Sequence, residues 1–270
     1  MTDTELIAGY LDHLRWCNRA QTTIDIRRTY LEKLSHELGP FDKIKPKRLR
    51  KWLADPGRHL EASSQAVLLS AFHSFYHWAT TERLLKKDPT LRIEKPATPK
   101  GEPHPIVDAD REKALANADA LMRCWLLLGS LAGLRCQEIA LMSREDVRED
   151  TATLFVAHGK GRKQRFVPLA PTLLDALNDW GMPPAGRLWD MTPAQMSKAI
   201  NAYLHSLGAK SVDGEPATAH SLRHWFGSKT YQASKDLRLT QILMGHSSPT
   251  TTAGYAAADM TQAAGIVGSL

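Results

Sequence analysis

Between Ile93 and Val107 the chain runs EKPATPKGEPHPI, with four prolines, one glycine and almost no apolar side chains. Proline removes a backbone donor and clashes with the preceding helical turn, so such a stretch neither continues a helix nor packs a core. Whatever the 270 residues form, they form it on two sides of this break. The expected organisation is a domain over residues 1–92, an extended linker over 93–107 and a second domain over 108–270.

Apolar residues before the break recur at intervals of three and four, as in Leu6/Ile7/Tyr10/Leu11/Leu14 and Ile26/Tyr30/Leu31/Leu34/Leu38, the spacing of one helix face. Gly39-Pro40 ends the second helix. Pro46 suits a first helical position, and the short helix it opens carries Lys47, Arg48, Arg50 and Lys51 beside Leu49, Trp52 and Leu53. A fourth helix is expected over 63–85, burying Val67, Leu68, Ala71, Phe72, Phe75, Tyr76 and Ala79. The first domain is therefore read as four helices.

Charge separates the two halves. Residues 1–100 hold 18 Lys and Arg against 12 Asp and Glu, whereas residues 101–270 hold 17 of each, so the whole excess of +6 lies in the first domain. A basic domain joined to a neutral one suits a polyanion held by the first and acted on by the second, although a solvated amphipathic face accounts for the charge equally well. Three cysteines, an odd number, and the lack of an apolar segment after Met1 argue against a disulfide framework and for a reducing cytoplasm. No apolar run reaches the roughly 18 residues of a membrane span.

The second domain reads as helix over 108–117 and 121–131, then breaks into two β-rich runs, TATLFVA and KQRFVPL, joined by His158-Gly-Lys-Gly-Arg162. Glycines at that junction signal a hairpin. Helical patterns resume over 171–180, 193–207, 217–232 and 237–244.

Four segments of this domain concentrate groups suited to a phosphate: GLRCQEI around Arg135, the hairpin with Lys160, HSLRH with His220 and Arg223, and Gly245-His246 followed nine positions later by Tyr255. Arg135 follows a strongly apolar helical stretch, so its charge must either pair with Glu138, three residues on, or serve a ligand. His220 and Arg223, also three apart, share a helix face and offer an imidazole and a bidentate fork to one point. His220 and His224 have the spacing of metal ligands, but no HExxH glutamate accompanies them and the cysteines are scattered, so no metal is expected. His73 and His77 read as a surface pair on the fourth helix.

In their order and spacing these segments resemble the tyrosine recombinase, or phage integrase, family, and the likeness extends over most of the chain. The resemblance implies a mostly α protein, with an N-terminal four-helix core-binding domain of the SAM-like type and a mainly helical catalytic domain containing a small β-hairpin. It implies Arg135, Lys160, His220, Arg223, His246 and Tyr255 as the catalytic set, with Glu138 orienting Arg135 or nearby backbone. Tyr255 would form a 3′-phosphotyrosyl link to DNA, His220 would take its proton, and Lys160 would protonate the leaving 5′ oxygen, with Lys163 as the fallback acid. Arg162, Lys163 and Arg165 are expected on backbone phosphates, as are Lys43, Lys45, Lys47, Arg48, Arg50 and Lys51 in the first domain. The covalent link conserves the phosphodiester energy, so no cofactor is expected, in keeping with the absence of a GxxxxGK[ST] motif. Met244 stands where the family more often has leucine, and Cys136 where small or polar residues are commoner.

The expected partners are double-stranded DNA and three further copies of the chain in a tetramer on it, with room left for an accessory or directionality protein. The expected location is the cytoplasm, on the nucleoid when DNA is bound. Thr4–Leu14 already reads as the first core-binding helix, which implies the short form without an arm-binding domain, and the 15 residues after Tyr255 would dock on a neighbouring subunit. The leading expectation is a site-specific recombinase of a phage or other mobile element. The alternatives are a Xer-like resolvase, a type IB topoisomerase and a non-catalytic DNA-binding regulator.

Overall fold

Thr2 starts the first helix by accepting a hydrogen bond from the Glu5 amide at 3.2 Å, while the Glu5 carboxylate accepts from the Thr2 N–H at 2.8 Å. This reciprocal cap satisfies two donors that a helix start leaves open. In the computed structural model that helix, α1 (Asp3–Trp16), is followed by α2 (Gln21–Leu38), α3 (Pro46–Leu53) and α4 (Ala62–Thr81). The structure describes residues 1–55, 57, 60–97, 102–157 and 164–245. The chain divides into two compact units, Met1–Lys100 and Gly101–Leu270.

Aromatic rings fill the centre of the first unit. Tyr10, Phe41, Phe72, Phe75 and Tyr76 are fully buried, and the centroids of Phe41 and Phe75 lie 4.7 Å apart, those of Tyr10 and Phe75 5.4 Å. Such tilted and edge-on pairs add to the energy of burial alone. Both phenols find acceptors inside: Tyr10 Oη donates to Ser74 Oγ at 2.8 Å and Tyr76 Oη to the Phe41 carbonyl at 3.2 Å. Leu49, Trp52 and Leu53 turn α3 into this core, and Trp52 Nε1 donates to Glu37 at 2.9 Å.

Two expected core residues face outward. Ile26 and Val67 are 49% and 54% exposed, and Ile24, Ala66 and Leu69 take the inward positions instead. Residues two apart on a helix are about 200° apart around its axis, so Ile24 and Ile26 cannot both face the core. Val67, Leu68 and Leu69 compete in the same way, and Val67 is the one turned out. Ile26 and Val67 flank a common groove between α2 and α4 with Arg27, Tyr30 and Lys95.

The second unit is arranged around one helix. Its elements are α5 (Asp108–Asn117), α6 (Ala120–Leu131), α7 (Cys136–Ala140), β1 (Val147–Arg148), β2 (Thr153–Val156), β3 (Arg165–Pro168), α8 (Pro171–Trp180), α9 (Pro193–Ser206), α10 (Ala219–Ser234) and α11 (Leu237–Met244). Asp119 caps α6 through the Met122 amide at 2.7 Å, and every residue from Cys124 to Ser130 is buried. A helix apolar all round belongs at a core's centre, and α8 and α10 pack against it.

The three strands form an antiparallel sheet in the order β1-β2-β3, with Leu154 opposite both Val147 and Val167. These three residues point inward, whereas Phe155 and Phe166 pair on the outer face beneath the Arg148 guanidinium. The sheet is the expected hairpin plus one short strand, and the architecture is mostly helical.

The described part of the expected linker at 93–107 is docked at both ends. Ile93 packs on the first core. Ile106 is buried in the second, its N–H donating to the Ser221 carbonyl at 3.1 Å, and the Val107 N–H donates to the Lys210 carbonyl at 3.0 Å. Ile106 docks in an extended conformation, bridging antiparallel to Ser211, so its burial and the extended backbone that the neighbouring prolines favour act together. Among the described residues no helix is long and apolar enough to cross a membrane.

Candidate active site

Helix α6 ends at Leu131, four residues before Arg135, and the turn between them is made by Gly133 at φ +62°. A side-chain carbon at Gly133 would fall on the Phe226 ring of α10, and one at Gly129, a helical turn earlier, would lie 3.1 Å from Leu222 Cβ. These two glycines let α6 and α10 approach closely just where Arg223 follows Leu222. Arg135 is extended, at φ −79° and ψ 153°, and caps the short helix α7. It therefore stands outside the apolar helix that precedes it in the sequence.

Glu138 is the hub. Its side chain is 1% exposed, and its carboxylate accepts from the Arg135 backbone N–H at 2.9 Å and from Arg135 Nη1 at 2.8 Å. Arg165, reaching in from β3, meets the same carboxylate end-on, with Nη1 to Oε1 at 2.9 Å and Nη2 to Oε2 at 3.0 Å. Arg223 Nη1 lies 3.8 Å from Oε2. Burial pushes the Glu138 carboxyl up, but the hydrogen bonds and charge of Arg165, with the amide and charge of Arg135, outweigh it and hold the group below the usual carboxylate range. Three guanidinium groups around one carboxylate leave two positive charges in excess.

Arg223 is 1% exposed and donates to two carbonyls, Nη1 to Gly133 and Nη2 to Met244. Arg135 keeps more access to solvent, at 23% side-chain exposure. Arg135 pairs with Glu138, as their spacing suggests, and still presents an open edge. Thr218 caps α10 and sets His220 in its first turn. His220 keeps access to solvent, and partial desolvation, followed by the charges of Arg223 and Arg135, lowers its pKa. Its ring stands perpendicular to that of His224 with centroids 4.5 Å apart.

Arg165 departs from the expectation of a phosphate contact. Its side chain is 7% exposed and its fork is turned onto Glu138. The strand itself carries the signal that would have found this: side chains two apart share a face, and Val167 on the same strand is fully buried while Phe166 between them is exposed. Lys43, Lys45, Lys47, Arg48, Arg50 and Lys51 are all exposed on the first unit. Lys160, Arg162, Lys163, His246 and Tyr255 lie outside the described residues. Among the described residues no three His, Cys, Asp or Glu side chains gather as a metal site, and His73 Nδ1 is engaged with Thr90 at 2.8 Å.

Residues 101–262 match the family model described as the phage integrase family, and residues 7–83 match its N-terminal SAM-like domain. The chain belongs to the phage integrase family. It is 33% identical over 221 residues to tyrosine recombinase XerC of Neisseria gonorrhoeae, a match covering 75% of this chain and 70% of that protein. With tyrosine recombinase XerD of Yersinia pestis it shares 29% identity over 282 residues, covering 94% of this chain and 92% of the relative. It is thus a tyrosine site-specific recombinase, an enzyme that cleaves and rejoins DNA. Solved structures agree on the fold: a lambda integrase dimer bound to a COC′ core site superposes with a TM-score of 0.75 at 17% identity, covering 94% of this chain and 95% of that one. The Tn1549 transposon integrase in complex with transposon right end DNA gives 0.74 at 18% identity, covering 98% and 100%.

Proposed function

We propose that this recombinase cuts one strand of a DNA duplex with Tyr255, holds the 3′ phosphate covalently, and passes it to the 5′ hydroxyl of a partner strand. The observation that supports this most directly is the group of three guanidiniums around Glu138, with its two excess positive charges. A phosphodiester carries one negative charge and its trigonal-bipyramidal transition state about two, so a preorganised excess of this size stabilises the transition state more than the ground state. Arg135 and Arg223 are the donors to the non-bridging oxygens, joined by His246. His220, with its neutral form favoured, accepts the Tyr255 proton as the phenol oxygen bonds to phosphorus. The P–O bond to the 5′ oxygen breaks and Lys160 supplies that oxygen's proton. Religation reverses each transfer.

The exposed run from Lys43 to Lys51 fits a phosphate-binding face, with affinity that falls as salt rises. By analogy with the lambda integrase tetramer bound to a Holliday junction, the working assembly is a tetramer on two duplexes. Residues 1–92 hold DNA and 108–270 carry the chemistry. Integration of a mobile element is one outcome of this reaction. Xer-type resolution is the second reading, favoured by 28–29% identity to XerC and XerD proteins over 94% of this chain.

The test is recovery of protein-linked DNA from denatured cells expressing wild type or Tyr255→Phe. Wild type is expected to carry one short, partly symmetric site and Tyr255→Phe none, while both bind DNA equally. An adduct on Tyr255→Phe would move the nucleophile to another residue.

A further inference from the structure

Helix α11 ends at Met244, one residue before Gly245 and two before His246. The last carbonyls of a helix have no partner within it and carry the negative end of its dipole. Here two of them are claimed from outside: the Leu243 carbonyl accepts from Arg165 Nε at 2.9 Å and the Met244 carbonyl from Arg223 Nη2. Both guanidiniums lie against Glu138. A single fork on Arg165 therefore ties three elements together, binding β3 to the α7 carboxylate with its two terminal nitrogens and to the end of α11 with its third. Gly245 completes the contact, since its φ is +61° and a side-chain carbon there would lie 2.9 Å from Arg165 Nη1.

We infer that Arg165 is a positioning residue rather than a DNA contact, fixing the end of α11, and with it the start of the segment that carries His246 and Tyr255, to the carboxylate that orders the catalytic arginines. The inference rests on the proposed roles of Arg135, Arg223, His246 and Tyr255. It requires the planar fork and not merely the charge, because Nη1 and Nη2 meet the two carboxylate oxygens side by side while Nε meets the carbonyl, a spread of donors that a single ammonium nitrogen does not reproduce. Lysine at this position keeps the charge and loses the geometry.

Three measurements on Arg165→Ala and Arg165→Lys test it. Recovered protein–DNA adduct is expected to fall about 100-fold in both variants, the scale of loss when a remote change displaces reacting groups by about an ångström. Binding to a duplex of arbitrary sequence, titrated with salt, is expected to keep the wild-type slope, whereas removing a phosphate-binding charge would lower that slope by about one. Amide hydrogen exchange is expected to quicken over 237–245 and stay unchanged in α6, which separates local loosening from general unfolding. Wild-type adduct levels in Arg165→Lys, a salt slope reduced in Arg165→Ala and restored by Lys, or unchanged exchange over α11 would each overturn the inference. Wild type and Tyr255→Phe run alongside: loss of the contrast between them would fault the catalytic assignment, whereas an intact contrast with an unaffected Arg165→Lys faults Arg165 alone.

Discussion

The two units of this recombinase use positive charge in opposite ways. On the first, Lys43, Lys45, Lys47, Arg48, Arg50 and Lys51 stand in water over a core of aromatic rings, and that core makes no use of them. In the second, Arg165 and Arg223 are buried and Arg135 largely so, each tied to Glu138 or to a backbone carbonyl. An exposed charge costs little to keep and attracts any polyanion, with a strength that salt reduces. A buried charge is costly unless it is paired, but its position is fixed and screening is weak. On the proposed function, the contrast separates holding DNA from acting on one phosphate of it.

The sharpest way to break this contrast is at Glu138. Glu138→Ala leaves three guanidiniums crowded without their counter-ion, and the loss of one member of a buried pair costs about 3–5 kcal/mol. Chemical denaturation should show a loss of that size, with adduct formation abolished. Removing charge from the first unit should do the reverse. Lys47, Arg48, Arg50 and Lys51 changed to Gln should each move stability by no more than about 0.5 kcal/mol, yet together weaken DNA binding and lower its salt slope by about 0.9 for each phosphate no longer neutralised.

The smallest effect expected is a titration. NMR should place the His220 pKa in the free protein below the ordinary value of about 6.5, because desolvation and then Arg223 and Arg135 disfavour the imidazolium. As pH falls through about 6.5 the unfolded chain takes up this proton before the folded one. His220's contribution to stability is thus fully present above that value and declines as pH drops toward the folded pKa. Arg135→Gln should raise the pKa partway, leaving the desolvation part in place.

Much of this architecture is legible in the order of the residues. Periodicity alone places α5, α8 and α11 with the bounds the structure shows, at Asp108–Asn117, Pro171–Trp180 and Leu237–Met244, because each is an amphipathic segment with a clear break on either side. Ile26 and Val67 escape such a reading because neighbouring apolar residues compete for one inward position, and packing against another helix decides among them. Strand β1 has two residues, too few to show a period, and exists through its pairing with β2. At the site, the pairing of Arg135 with Glu138 is readable from their spacing. The approach of Arg165, 27 positions beyond Glu138, depends on tertiary folding, although strand parity points it inward.

The close approach of α6 and α10 at Gly129 and Gly133 bears on how this chain can diverge. The Gly133 carbonyl reaches Arg223 because the residue carries a hydrogen where every other amino acid carries a carbon, and Phe226 occupies the space beyond. Surface lysines can be exchanged and redistributed while the face that bears them still meets backbone phosphates. Position 133 has no such latitude. Lineages of this recombinase can thus alter how tightly they hold DNA far more freely than the stereochemistry beneath Arg223, and a hydrogen atom with no chemistry of its own sets that boundary.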